Sequence, residues 1–144
     1  MAEAFFGALR SKTRGPLVCE PRHASWFSDD ADALLARHQV GRAAADPARH
    51  LNAHAPGGWP GFAYWRLHGS PRMYYSSYSG DALDALAREI AVHGAADRWC
   101  LFDNTTSGAA AADGLALMER LAEQAVAGQP THQESGHTTA IPRP

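Results

Sequence analysis

A repeated alternation of short apolar runs with helical patterns most constrains the fold of this 144-residue chain. Four runs each end in polar or ionisable residues: Leu17 to Glu20, Arg42 to Asp46, Phe62 to His68, and Trp99 to Asn104. We interpret these runs as strands. Strands that alternate with helices at this spacing predict parallel βα units, because a parallel crossover requires a returning helix.

The helices are predicted from apolar spacing and from side chains that cap helix starts. The expected caps are Ser28, Ser79 or Asp81, and Ser107. The last helix should bury a stripe formed by Ala111, Leu115, Met118 and Ala122. A further helix, containing Phe5, Phe6 and Leu9, should precede the first strand. The stretch Pro47 to Gly61, rich in Pro, Gly, His and Ala, predicts a long surface loop.

Composition argues against some classes of function. Thirteen Lys and Arg residues stand against fifteen Asp and Glu, so the formal net charge is -2 and a polyanion is not the default partner. The sequence shows no secretory leader and no run of about 18 apolar residues, so we expect a cytoplasmic, soluble protein. Cys19 and Cys100 each lie in an apolar run and are expected to be reduced core residues.

The chain is expected to divide into two parts. Residues 1–127 should form one (β/α) domain, because a chain of this length is too short for two well-buried domains. Residues 128–144 consist mainly of Pro, Thr, His, Gln, Ser and Gly, and they offer too little apolar surface to offset the entropy of ordering. We therefore predict a disordered C-terminal tail.

Ionisable residues follow the first strand and close the third. Glu20, Arg22 and His23 lie within four positions, where alternation points Glu20 and Arg22 to the same side. A structural salt bridge is one interpretation and a functional site is the other. Arg66 and His68 share one face of the third run. In a barrel that face points inward, so Arg66 needs either a carboxylate such as Glu20 or Asp46, or a bound anion.

Two later segments also carry polar groups. The loop containing Arg72, Tyr74 and Tyr75 could cover a ligand, or its tyrosines could only seal a barrel mouth. Asp103 and Asn104 close the fourth strand just before a helix start, where free backbone N–H groups favour anions. Helix capping alone and a phosphate site are both consistent with this pattern.

No motif here is diagnostic of a cofactor or of a known chemistry. There is no Gly-rich dinucleotide motif, no Walker loop, no His-Glu-x-x-His and no Cys-x-x-Cys. His23 and His68 lie where strand ends would converge, with Glu20, Asp46 and Asp103 as candidate oxygen ligands for a metal. We predict no metal site, and the identity of any cofactor stays open.

Taken together, these residues resemble the YecE-like family, domain of unknown function 72. In chain order the resemblance is carried by Glu20-x-Arg22-His23-x-Ser25-Trp26-Phe27, Asp46, Tyr64-x-Arg66-x-His68-Gly69, Tyr74 to Tyr78, and Phe102-Asp103-Asn104. It extends from about Phe5 to about Ala125. The resemblance implies a (β/α)8 barrel with a polar cluster at the C-terminal ends of its strands, and no settled biochemical activity.

The chain departs from the family pattern in two ways. Asp113-Gly114 stands where the family usually has Asn-Ala, and the motifs of the family's N-terminal half are absent. A full barrel takes about 250 residues, so the chain is predicted to be α/β, with parallel (β/α) units forming roughly half of a TIM (β/α)8 barrel. Half a barrel exposes its inner face and two edges. This predicts a homo-oligomer, a separate N-terminal half, or a truncated gene product.

The predicted function is the binding or processing of a small anionic, phosphorylated ligand at the strand ends. The expected catalytic residues are Glu20, His23, Asp46 and His68. The expected ligand-binding residues are Arg22, Arg66, Arg72, Tyr74, Tyr75, Asp103 and Asn104. Two alternatives stay open: a module that binds nucleic acid or a partner chain through Arg66, Arg72 and the tyrosine loop, and an inactive fragment.

Overall fold

The computed structural model describes residues 1–127, which form a mixed α/β fold. The helices are α1 (Ala2–Lys12), α2 (Asp29–Arg37), α3 (Gly80–Val92) and α4 (Ala109–Ala127). The strands are β1 (Leu17–Cys19), β2 (Val40–Arg42), β3 (Ala44–Asp46), β4 (Gly57–Gly58), β5 (Phe62–Leu67) and β6 (Asp97–Phe102). The tail predicted to be disordered, residues 128–144, lies outside the described residues.

The strands form two small sheets, and a continuous stretch of chain runs from β2 in one sheet into β3 in the other. β1 pairs with β2 in parallel, and β3, β5 and β6 pair in parallel in that order. A single residue, Ala43, separates β2 from β3, and its N–H donates to the carbonyl of Cys19 at 2.9 Å. The predicted second strand is therefore present as two pieces that link the sheets. Strands that are parallel bring their C-terminal ends to one edge, which is where the candidate site lies.

Helices cover one face of the strands, which we call the outer face. Ala63, Trp65 and Leu67 of β5 point to it and are at most 4% exposed. Trp65 packs with α3 and α4 in one apolar cluster, while a second cluster under α1 and α2 contains Phe6, Leu35 and Val40. Both clusters form because alternate residues of a strand and one stripe of each helix are apolar.

Two of the predicted helix caps are confirmed. The hydroxyl of Ser28 accepts from the N–H of Ala31, and that of Ser79 accepts from the N–H of Ala82, both at 3.3 Å. Each bond satisfies one of the backbone donors left free in the first turn of a helix. Ser107 does not act in this way. It lies two residues before α4 begins, and its hydroxyl donates to the carbonyl of Tyr75 at 2.6 Å.

The predicted buried stripe of α4 is wrong. Leu115 and Met118 are 63% and 66% exposed, and Ala111 and Ala122 are exposed as well, whereas the buried residues of the helix are Asp113 and Leu117. The carboxylate of Asp113 accepts hydrogen bonds from the loop before α3 and from the end of β6. These bonds rotate α4 so that an acidic residue faces inward and an apolar stripe faces out.

The crossover from β3 to β5 contains no helix. Residues 47–61 form turns and the two-residue strand β4, which pairs antiparallel with β2. The loop prediction for this stretch is confirmed. The general expectation of a helix between successive strands fails here, because fifteen residues rich in Pro and Gly do not offer a helical apolar stripe.

The face of the sheet opposite the helices, the inner face, is largely open. It carries Tyr64 and Arg66 of β5 together with Trp99 and Leu101 of β6, and the last two are 59% and 46% exposed. Cys19 and Cys100 are free thiols, and both are partly buried and not fully buried core residues. No helix within residues 1–127 is long and apolar enough to span a bilayer.

Candidate functional site

Four ionisable side chains meet at the C-terminal end of the inner face. Arg66 lies beside Ala45 and Leu101 in the parallel register, so the residues that continue these strands by two positions share its face. His68 continues β5 and Asp103 continues β6 in this way. Glu20 follows β1 directly and reaches the same cluster by its side chain. We call Glu20, Arg66, His68 and Asp103 the strand-end cluster.

Arg66 bridges the two carboxylates of the strand-end cluster. Its Nη1 donates to Glu20 Oε2 at 2.8 Å, and its Nε and Nη2 donate to Asp103 Oδ2 at 3.2 and 2.9 Å. The hydrogen bond to Glu20, followed by the bonds to Asp103, raises the pKa of Arg66 against the opposing effect of burial. The predicted carboxylate partner of Arg66 is present, and a second one, Asp103, joins it. Charge-assisted bonds of this kind fix geometry as well as charge.

His68 lies under this bridge with its side chain only 2% exposed. Its Nδ1 is 2.8 and 2.9 Å from the two carboxylate oxygens of Asp103, and its Nε2 is 3.4 Å from Glu20 Oε1. Within the described residues, Nε2 is buried and has no hydrogen-bond partner, whereas Oε1 is buried and lies 2.9 Å from Arg22 Nη2. The ring of Tyr74 packs edge-on against the imidazole at 5.7 Å. The imidazole therefore lies between two carboxylates, bonded to Asp103 and close to Glu20.

Asp46 does not belong to the strand-end cluster, which corrects the sequence prediction. In the register of β3 with β5, Asp46 pairs with Leu67, so its side chain points to the outer face. There Asp46 Oδ2 accepts from the hydroxyl of Tyr78 at 2.8 Å. Burial and this hydrogen bond raise the pKa of Tyr78 well above its ordinary value. Asp46 closes a strand as expected, but on the face away from the cluster.

Arg22 and His23 take different positions beside the cluster. Arg22 Nη2 lies 2.9 Å from Glu20 Oε1, and 55% of its side chain is exposed, so most of its donors face solvent. His23 is exposed and its Nδ1 accepts from the N–H of Ser25 at 3.2 Å, where it caps a short 3-10 turn. The structure therefore does not bring His23 to His68, because the chain turns away after Glu20.

The loop between β5 and α3 lies over the site. Tyr74 adopts a left-handed backbone conformation with φ of 68°, uncommon for a residue with a Cβ. The guanidinium of Arg72 lies 3.9 Å from the centre of the Tyr75 ring, and both tyrosines are more than 40% exposed. Ring and guanidinium thus form one exposed stacked pair beside the cluster.

Asn104 anchors this loop and does not face the inner side. It is fully buried, and its Nδ2 donates to the carbonyl of Ser76 at 2.9 Å and to Asp113 Oδ2 at 2.7 Å. Asp113 also accepts from the hydroxyl of Ser77 and from the N–H of Tyr78. Sequence reasoning did not identify Asp113 as a site residue. The signal was its acidic side chain in an otherwise apolar stretch of helix.

Little enclosed space exists beside His68. A cavity of about 20 Å³ lies among Glu20, Ala45, His50 and His68, which is room for about one water. A larger ligand would have to lie on the open inner face. Within residues 1–127 no three His, Cys, Asp or Glu side chains are arranged to hold a metal ion.

The family described as "Protein of unknown function DUF72" matches residues 3–136. No protein of curated function matches the sequence significantly.

Two similar solved structures are both DUF72 family proteins. The one from Enterococcus faecalis V583 has a TM-score of 0.68 at 17% identity, covering 83% of this chain and 52% of its own. The one from Thermotoga maritima MSB8 has a TM-score of 0.60 at 22% identity, covering 86% and 51%. The chain therefore spans about half the length of these relatives, and at such identities the likeness concerns the fold alone.

Proposed function

This chain belongs to the DUF72 family, whose function is unknown, and from the geometry of its strand-end cluster we propose that it binds and processes a small anionic, phosphorylated ligand on the inner face. The observation that carries the proposal is the buried imidazole of His68 held between the carboxylates of Asp103 and Glu20. Burying ionisable groups costs free energy that pairing only partly offsets, and clusters of this kind are concentrated at functional sites.

The anion would be recognised by guanidinium groups that the cluster leaves accessible. Arg66 is 35% exposed at its side chain and Arg22 is 55% exposed, and both point toward Glu20. The two positive charges of Arg22 and Arg66 balance the two negative charges of Glu20 and Asp103. An arriving phosphate group would therefore bind mainly to the free donors of Arg22, with the exposed edge of Arg66 beside it.

Glu20 would be the acid–base group that touches the ligand. Its side chain is 13% exposed, whereas that of His68 is 2% exposed, so a ligand on the inner face can reach the carboxylate more readily than the imidazole. His68 would exchange a proton with Glu20 through the 3.4 Å contact, and Asp103 would orient the ring through Nδ1. Asp46 and His23 have no part in this mechanism, because neither lies in the cluster.

We further propose that the sheet is roughly half of a (β/α)8 barrel. The open inner face carries Val18, Trp99 and Leu101, which are between 37% and 59% exposed. In the described residues β1 and β6 each have a strand neighbour on one side only. Exposed apolar faces and unpaired strand edges promote association. Either a second copy or a chain carrying the other half of the barrel would cover them, and would also wall the ligand site.

Titration with a defined probe tests the ligand proposal. Inorganic phosphate and glucose 6-phosphate should shift the imidazole and guanidinium NMR signals of His68 and Arg66, and glucose alone should not. Arg22→Gln should weaken glucose 6-phosphate binding at least about tenfold, the value of one charge-assisted contact. Arg88→Gln, on the exposed face of α3, is the matched control and should leave binding unchanged. Equal affinity for glucose and its phosphate would contradict the proposal.

A second candidate function rests on the stacked pair of Arg72 and Tyr75. Aromatic rings beside a guanidinium suit the bases of single-stranded nucleic acid. On this alternative, a short oligonucleotide should bind with an affinity that falls steeply as salt rises, and Tyr75→Ser should weaken it. Binding that does not depend on salt, or that survives Tyr75→Ser, would exclude this alternative and leave the small-ligand proposal untouched.

A further inference from the structure

A second and larger cavity lies on the outer face, away from the strand-end cluster. Its volume is about 640 Å³, which is within the range of small-molecule sites, and it opens between α3 and the segment that follows β3. The cavity exists because the crossover from β3 to β5 contains no helix. A helix there would have packed beside α3, so its absence leaves a gap over Ala44 and Leu67. We call this gap the outer cleft.

The walls of the outer cleft are largely apolar, and its lining carries two carboxylates and one imidazole, that of His54. Small and aliphatic side chains of α3 form one wall: Ala82, Ala85 and Leu86. Two carboxylates, Asp46 and Glu89, face the same space, and the lining drawn from the described residues includes no Lys or Arg. Among the groups that line the cleft, the two carboxylates therefore outnumber the single imidazole.

Each carboxylate is held in place by one donor. The hydroxyl of Tyr78 donates to Asp46 Oδ2, and the indole Nε1 of Trp65 donates to Glu89 Oε1, both at 2.8 Å. A carboxylate offers about four acceptor positions, so each group keeps capacity for a further donor. The donors Trp65 and Tyr78 come from β5 and from the loop before α3, which makes the two acceptors part of the fixed framework.

We propose that the outer cleft binds a small organic amine, with its ammonium group attracted by both Asp46 and Glu89 and its apolar body against α3. An ammonium group supplies both the donors and the positive charge that the two carboxylates lack. An anion would be repelled, so this ligand differs in charge from the ligand of the inner face. The two sites lie on opposite faces of the sheet, so the proposal for the outer cleft does not depend on the proposal for the inner face.

The test uses the intact chain and two probes of similar size, one with an ammonium group and one with a neutral hydroxyl in its place. Phenethylamine should shift the indole N–H resonance of Trp65, because that group bonds to Glu89, and 2-phenylethanol should bind about fivefold more weakly or worse. Glu89→Gln and Asp46→Asn should each lower the affinity for the amine about fivefold and leave that for the alcohol unchanged. Glu123→Gln, on the exposed side of α4, is the control for a general loss of negative charge.

Three results would overturn the proposal. The first is equal affinity for amine and alcohol, which would make the cleft an apolar groove without charge selection. The second is no shift of the Trp65 resonance by the amine at about 10 mM, where even a very weak site would be substantially occupied. The third is an effect of Glu123→Gln as large as that of Glu89→Gln, which would show attraction to the whole chain only.

Discussion

Replacing Arg66 by Leu tests whether the strand-end cluster is one electrostatic unit. The substitution removes three charge-assisted hydrogen bonds and leaves the carboxylates of Glu20 and Asp103 close together, only 13% and 21% exposed. Breaking a fully buried ion pair costs about 3–5 kcal/mol. Because Arg66 itself is 35% exposed, solvent would take over part of its role. We expect the free energy of unfolding to fall by about 2 kcal/mol.

Urea unfolding measures this loss, and Arg22→Leu is the matched control. Arg22 makes one ion pair with Glu20 and is 55% exposed, so its removal should cost less than about 1 kcal/mol. Both variants should keep the denaturant dependence of the parent, since a changed slope would mean a changed native or denatured state. An Arg66→Leu variant that loses no more stability than Arg22→Leu would refute the reasoning.

A double substitution identifies the cause of the loss. Asp103→Asn in the Arg66→Leu background should regain part of the stability, because it removes the carboxylate that has lost its guanidinium partner, whereas Glu20 keeps Arg22. Asp103→Asn alone should destabilise, because Arg66 and His68 both bond to that carboxylate. If the losses of the two single variants simply add, Arg66 and Asp103 are not coupled and the geometry of the cluster has no energetic meaning.

Further predictions concern three other parts of the molecule. Asp113→Ala should lower the free energy of unfolding by about 3 kcal/mol, because three donors lose a buried acceptor. Urea unfolding measures this loss, and a decrease no larger than that of a surface substitution would contradict the prediction. Burial raises the pKa of the Cys100 thiol to about 12 from 9.0, so at pH 8 iodoacetamide should alkylate it about a thousandfold more slowly than an ordinary thiol, with a short cysteine peptide as reference. The folded thiol keeps its proton where the unfolded one loses it, so the stability contributed by Cys100 should decline as pH rises above 9.0. Sedimentation of the isolated chain should show self-association, because Trp99 and Leu101 are exposed; a stable monomer at high concentration would argue against the half-barrel proposal.

Sequence patterns predicted the local elements where two kinds of signal agreed. The helix starts at Ser28 and Ser79 combined a capping side chain with an apolar stripe, and both are present. The third run alternates large apolar residues with polar ones, and this alternation alone is enough to predict the inward side of Arg66 and His68. In these cases the helix start, or the face to which a side chain points, depends only on a residue and its near neighbours in the sequence.

The face to which Asp46 points could not be predicted from such patterns. The run from Arg42 to Asp46 contains three alanines in succession, so it has no alternation of polar and apolar side chains to reveal which face is which. The face was decided by the register of β3 on β5 and by the hydroxyl of Tyr78, which is 32 residues away. The prediction that Asp46 closes a strand was therefore correct, but the prediction of the face to which its side chain points was wrong.

The sequence by itself determined the strand and helix order, two helix caps, the loop from 47 to 61 and the side on which Arg66 and His68 lie, because those depend on interactions within a few residues. Only the tertiary structure decided the rotation of α4, the second carboxylate on Arg66 and the existence of the outer cleft. Each of these depends on groups far apart in the chain: Asp113 is set by Asn104 and the loop before α3, and Asp103 reaches Arg66 across 37 residues. Such contacts are energetically strong but leave no periodic trace in the sequence, since their partners become neighbours only when the sheet has formed.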